Sequence, residues 1–207
     1  AAALEDALVE TVVAAAPEPA PEPEPEPTPE PKVEFNVDPS THLVEGGPEI
    51  DTQGSGVVYR FFTRNADGSK GEQVAVEYEN WKGNVEPGEY LLEVSLDRAT
   101  TSIPLTVTEN ETAKPKAVLN AGKMRIAPNY APGQRTESAR IVFTYGDGEQ
   151  GTEYDERTVI LPASKVEVKV SQGNGEVSET FDLAPGQEIA KDMVIGLGRV
   201  VVRGFYD

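Results

Sequence analysis

The 207-residue sequence contains no cysteine. That excludes disulfides, thiolate nucleophiles and thiolate metal sites together. Histidine occurs once, as His42, so a histidine metal cluster is excluded and imidazole chemistry rests on one side chain. Positive charge is scarce: 18 Lys and Arg face 36 Asp and Glu, a formal net charge of -18. Nucleic acids and anionic membrane surfaces are bound by clustered Lys and Arg, and no such cluster is present, so neither is an expected partner. No apolar run approaches the ~18 residues a spanning helix needs, so membrane insertion is not expected. Turn formers are plentiful, with 19 Gly and 17 Pro.

Composition changes sharply along the chain. Residues 1–16 place Leu4, Leu8, Val12 and Val13 at helical spacing, with Glu5, Asp6 and Glu10 between them. Such a helix is marginal alone in water. The segment reads as the end of a domain outside this sequence or, equally, as a disordered terminus. Residues 17–32 hold eight prolines at alternate positions, mostly interleaved with Glu. Proline fixes φ and biases each preceding residue to extended geometry, which favours a polyproline II linker. Its reach at ~3.1 Å per residue is roughly 50 Å.

From residue 33 onward, short alternating runs of β-branched and aromatic residues take over. They include Val33–Val37, Val57–Phe62, Val74–Tyr78, Tyr90–Leu96 and Ile103–Val107. Turn clusters such as Asn65-Ala66-Asp67-Gly68 and Gly173-Asn174-Gly175 separate such runs. Many short strands with turns between them indicate an antiparallel sandwich or barrel, with no helix of ten or more residues.

A shift of 76 residues lays Tyr90, Leu92 and Val94 onto Val166, Val168 and Val170, and Leu105 and Val107 onto Phe181 and Leu183. Val58–Phe62 likewise resembles Arg140–Phe143. Self-similarity at one spacing marks an array. Repeat one is expected at 33–121 and repeat two at 122–198. Residues 199–207 then form a terminal strand that opens a further repeat or closes the second, which suggests a piece of a longer protein. Inward positions are expected at Tyr59, Phe61, Trp81, Tyr90, Leu92, Val94, Leu105 and Val107. Their counterparts are Ile141, Phe143, Val166, Val168, Val170, Phe181 and Leu183. Gly122 and Gly198 are read as bends or close approaches between repeats.

Candidate chemistry is sparse. His42 is read as a solvated loop residue whose ring points away from Ser40, and no nucleophile elbow is present. The densest acidic stretch, Tyr145–Glu156, offers Asp147, Glu149, Glu153 and Asp155 as oxygen ligands for Ca²⁺ on a glycine-flexed loop. The preferred alternative is a charged hairpin that protects a sheet edge. Trp81, beside Asn80 and Lys82, is the one candidate platform for a sugar, against a preferred assignment to core or rim packing. No carboxylate pair stands apart as the acid and base of a glycosidase. No cofactor and no enzymatic activity are expected.

The runs Pro87-Gly-Glu-Tyr-Leu-Leu-Glu-Val94, Ile103-Pro-Leu-Thr-Val107 and Val118-Leu-Asn-Ala-Gly-Lys-Met-Arg-Ile126 resemble the tandem Ig-like, carboxypeptidase-regulatory or prealbumin-like repeats of bacterial secreted proteins. In several of these the repeats follow a von Willebrand factor type A domain through an acidic Pro/Glu linker. The resemblance implies an extracytoplasmic location, periplasmic or at the cell surface, with work in spacing, adhesion or assembly. Its implied partners are other domains of the same polypeptide or cell-surface proteins. The D-x-S-x-S metal motif of the A domain is absent, so no ligand site carries over. The expected fold is all-β: two tandem antiparallel sandwich domains behind a short helix and a linker. A structural spacer or assembly module is the leading function, and a glycan- or protein-binding module the alternative.

Overall fold

The computed structural model describes residues 33–197 and 203–204. The expected helix at 1–16, the linker at 17–32, Gly198 and most of 199–207 lie outside the described residues. Within them every regular element is a strand, so the described part of the chain is all-β.

The short strand β1 (Ser40–His42) lies parallel to β6 (Lys116–Val118). Between them come β2 (Val58–Arg64), β3 (Lys70–Tyr78), β4 (Gly88–Leu96) and β5 (Ala99–Val107). These four form an antiparallel sheet in the order β3-β2-β4-β5. The chain continues through β7 (Ala121–Ala131), β8 (Gln134–Arg135), β9 (Arg140–Tyr145) and β10 (Glu149–Tyr154). The remaining described strands are β11 (Arg157–Pro162), β12 (Ser164–Gln172), β13 (Gly175–Leu183) and β14 (Glu188–Val194). A second antiparallel sheet has the order β10-β9-β12-β13, and a third the order β11-β7-β14, with β14 parallel to β7 and β8 on its flank.

The sheets with four consecutive neighbours share one topology. β4 and β12 stand 76 residues apart end to end, as do β5 and β13. The remaining strands correspond in kind. Val37 bridges Gly83 on one side and Ala113 on the other, as Met124 pairs with Val159 and Ile189 in the later sheet. The earlier version of that sheet is reduced to bridges and a three-residue ladder.

Alternation explains the packing. In β4, Tyr90, Leu92, Val94 and Leu96 are buried while the residues between them are half-exposed. In β12, Val166, Val168 and Val170 do the same. Successive side chains of a strand point to opposite faces, so each sheet turns one apolar face inward. Two clusters result. One gathers Val37 to Ala121 around Tyr59, Phe61 and Leu92. The other gathers Met124 to Ile195 around Ile141, Phe143 and Leu161. Phe61 meets Trp81 and Tyr90 edge-on, with ring centroids 5.4 and 6.4 Å apart, an arrangement worth about 0.5–1.5 kcal/mol per pair beyond burial. Trp81 and Phe181 are only partly buried; the other expected inward residues are buried.

Gly122 does mark a close approach, but within the second cluster. A Cβ there would lie 2.6 Å from Leu183 Cδ1 and 3.0 Å from the Ala184 carbonyl oxygen.

Candidate functional site

The two clusters meet at a junction built from the β4–β5 turn, the Leu119–Ala121 segment and β11. Asp97 and Arg98 form that turn. Asp97 has φ 53°, where the corresponding turn between β12 and β13 uses Gly173 at φ 55°. A side chain in this left-handed region costs about 1–2 kcal/mol relative to glycine. The aspartate is put to use: Ile160 N donates to Asp97 Oδ2 at 2.8 Å. Arg98 N donates to the Ile160 carbonyl oxygen at 3.2 Å. Both outward-facing backbone groups of Ile160 are thereby satisfied, which closes the open edge of β11 at that residue. The Ile160 side chain packs against the first cluster.

Arg98 extends the junction onto β10. Its Nη2 donates to Glu153 Oε1 at 2.7 Å, and Arg157 Nε lies 3.4 Å from Glu153 Oε2. The hydrogen bond to Glu153 raises the affinity of the Arg98 guanidinium for its proton, with further contributions from the Glu153 charge and the Tyr145 hydroxyl. It is a fixed cation. The guanidinium lies over Gly151, where a Cβ would stand 2.6 Å from Arg98 Nε. Leu119–Ala121 supplies the covalent link and is tied on both sides. Leu119 N and Ala121 N donate to the carbonyls of His42 and Leu43, while Asn120 and Ala121 carbonyls accept from Ala163 N and Gly186 N, all at 2.8–2.9 Å. An open cleft of about 360 Å³ beside the junction is lined by Leu96, Asp97, Lys123, Arg157 and Ile160. The arrangement holds surfaces together.

His42 departs from expectation. It sits in β1 and is buried, its Nδ1 3.0 Å from the Gly47 carbonyl oxygen and its Nε2 3.3 Å from Ser40 Oγ. Residues two apart in a strand share a face, so Ser40 and His42 meet. The Gly47 carbonyl can only accept, so Nδ1 carries a proton, and Ser40 Oγ partners Nε2. With the ring enclosed, the pair braces a loop.

The acidic stretch is a strand hairpin. Asp147 occupies the turn between Gly146 and Gly148, Glu149 opens β10 opposite Tyr145, and Glu153 faces Arg98 and Arg157 at the junction. Asp155 lies past the end of the strand and accepts from Ser138 N. Six residues of strand span roughly 20 Å, so the four carboxylates do not converge. Among the described residues no group of three or more acidic or histidine side chains is disposed around a metal position.

Trp81 is half-buried. Its indole lies against Gly83, where a Cβ would come within 2.9 Å, and it lines a polar pocket of about 220 Å³ with Thr52, Tyr59, Glu79, Asn80 and Lys82. The Tyr59 hydroxyl is 3.0 Å from Thr41 Oγ1, and burial pushes its phenol above the usual range.

Asp97 and Arg98 carry the junction and were not singled out from the sequence. The signal was present: the repeat places Gly173-Asn174 at the corresponding turn, and an acid replaces the glycine where φ is positive.

No protein-family model and no curated protein matches the chain. Solved structures similar to it include the Bacillus anthracis TIE protein, 13% identical over 76% of this chain and 33% of that one, TM-score 0.31. The chain thus spans about a third of that protein's length. A C-terminal fragment of the pilus adhesin SpaC from Lactobacillus rhamnosus GG is 10% identical over 82% of this chain and 100% of that one, TM-score 0.30. The minor pilin of Streptococcus agalactiae is 13% identical over 72% of this chain and 87% of that one, TM-score 0.34. Similarity at these values transfers no function, and the functional reading rests on the chain's own geometry.

Proposed function

We propose that residues 33–121 and 122–198 are two tandem Ig-like sandwich modules acting without catalysis as a spacer or assembly unit of a secreted or periplasmic bacterial protein. The observation that carries this reading is the junction. Asp97 accepts backbone strain to seal the edge of β11, and Arg98 crosses to Glu153. A chain that only connected two independent binding domains needs no such brace. The mechanism is mechanical: braced modules resist bending, and the acidic Pro/Glu tract, as read from its sequence, adds reach. The strong negative charge opposes nonspecific association. Extracytoplasmic placement is supported by the resemblance of residues 87–126 to secreted repeats.

Pulling single molecules from both ends tests the reading. Two unfolding events are expected, each releasing roughly 25 nm of chain at ~3.5 Å per residue. One event releasing the whole length contradicts it.

A second reading, a glycan-binding module, is supported by the polar pocket beside Trp81. Glycan titration of the wild type and Trp81→Ala separates the two: binding that the substitution abolishes favours the second.

A further inference from the structure

The two matching sheets turn unlike faces to the outside. On the later sheet the outward residues of β9 and β12 are Arg140, Val142 and Thr144 opposite Ser171, Lys169 and Glu167, a mixed polar surface. On the earlier sheet the same positions hold Val58, Arg60 and Phe62 opposite Ser95, Glu93 and Leu91. The adjoining β3 adds Val74 and Tyr78, 49% and 63% exposed. Equivalent strands in one chain thus carry Phe62 for Thr144 and Leu91 for Glu167. The fold does not require the apolar version, since the later sheet does without it.

Charge on this face is sorted by strand. The cations Arg60 and Arg64 are on β2, and the carboxylates Glu89 and Glu93 are on β4. Within the chain they pair loosely, Arg60 with Glu93 at 3.7 Å and Arg64 with Glu89 at 3.9 Å. Arg60 also donates to Ser95 Oγ at 2.9 Å, Glu89 accepts from Thr106 at 2.8 Å and Glu93 accepts from Lys70. A guanidinium has five N–H donors and a carboxylate about four acceptor sites, so each group still has capacity for another partner. A two-fold axis running along the strands between β2 and β4 lays β2 of one molecule over β4 of another. Phe62 then faces Leu91, Arg60 faces Glu93, and Arg64 faces Glu89, each twice. This is the self-complementarity that a two-fold interface requires.

We infer that the outer face of the β3-β2-β4-β5 sheet docks a second copy of this chain, face to face, with Phe62 and Leu91 at its centre. The inference goes beyond the spacer reading and does not depend on it. Strands ~4.8 Å apart and nine residues long give a face of roughly 20 by 30 Å. Burying both copies removes roughly 1,000–1,200 Å², the low end for specific association, so a weak dimer is expected. The Lys70 side chain lies over the Phe62 ring, 4.4 Å from its centroid, and reaches Glu93. That side chain is 43% exposed, and docking requires it to swing aside.

Sedimentation velocity on the full chain tests this. The wild type should pass from monomer to dimer as concentration rises. Arg60→Glu and Glu93→Arg should each remain monomeric, because each sets like charges face to face. Mixed in equal amounts they should dimerise, since the carboxylate introduced in one variant then meets the guanidinium introduced in the other; that recovery shows both are folded. Phe62→Glu should also abolish dimerisation. A wild type monomeric to roughly 1 mM, the weak end of measurable association, overturns the inference and leaves the face to a different protein. Association that survives all three substitutions, or a mixture that stays monomeric, overturns it as well.

Discussion

Set side by side, the sheets β3-β2-β4-β5 and β10-β9-β12-β13 agree inside and differ outside. Their inner faces carry the same alternation, with Tyr90, Leu92 and Val94 in one and Val166, Val168 and Val170 in the other, all buried. Their outer faces share almost nothing, and one has Asp97 at the turn where the other has Gly173. Burial of alternate apolar side chains is a demand of the fold, so both sheets meet it. The outer face and the turns answer to whatever the chain touches. The places where the two sheets diverge are therefore where function is to be sought, and the junction and the apolar face are two of them.

The comparison breaks most visibly at the centre of each cluster. Phe143→Ala should cost about 3–5 kcal/mol. Amide hydrogen exchange should show lost protection in β7 and β9–β14 while β2–β5 stay protected, and Phe61→Ala should show the reverse. Simultaneous loss of protection everywhere would mean one core. Gly122→Val comes next: its side chain collides with Leu183 and the Ala184 carbonyl, and overpacking of this kind costs about 1–3 kcal/mol. A lower melting temperature in the second cluster is the readout.

At the junction, Arg98→Ala should remove about 1 kcal/mol, the scale of a partly exposed ion pair. Asp97→Gly relieves strain while losing one hydrogen bond, so thermal stability should scarcely change. Exchange of the Ile160 amide should nevertheless rise, and an unchanged rate would show that the carboxylate does not hold it. The smallest effect concerns Tyr59. Burial raises its phenol pKa, so its contribution is complete below the unfolded value of about 10 and is lost as pH rises through the higher folded value. Tyr59→Phe should be about 1 kcal/mol less stable at neutral pH, from the missing bond to Thr41. That deficit should shrink above pH ~10, as followed by denaturant titration at several pH values.

The inner faces were legible in the sequence because alternation is written residue by residue. β10 and β11 were not, for opposite reasons. β10 is an edge strand whose inward position is Gly151, its space filled by Arg98, so it has no apolar period. β11 packs on both sides at Val159–Leu161, with Ile160 half-buried against the first cluster, and a continuous apolar run hides the period of two. His42 was misplaced through the parity of a strand too short to show a pattern. The junction was hidden because Asp97-Arg98 looks like any polar turn until its partner on β11 is known.

The central claim is that the two clusters are braced by the Asp97–Arg98 turn. Because the chain has no native cysteine, Ser102→Cys and Ser178→Cys supply two unique spin-label sites, one on each matching sheet. Pulsed electron–electron double resonance at concentrations where the chain is monomeric should give one narrow distance distribution in the otherwise wild-type chain and a broad one once Arg98→Ala is added. A distribution already broad with Arg98 in place would contradict the account.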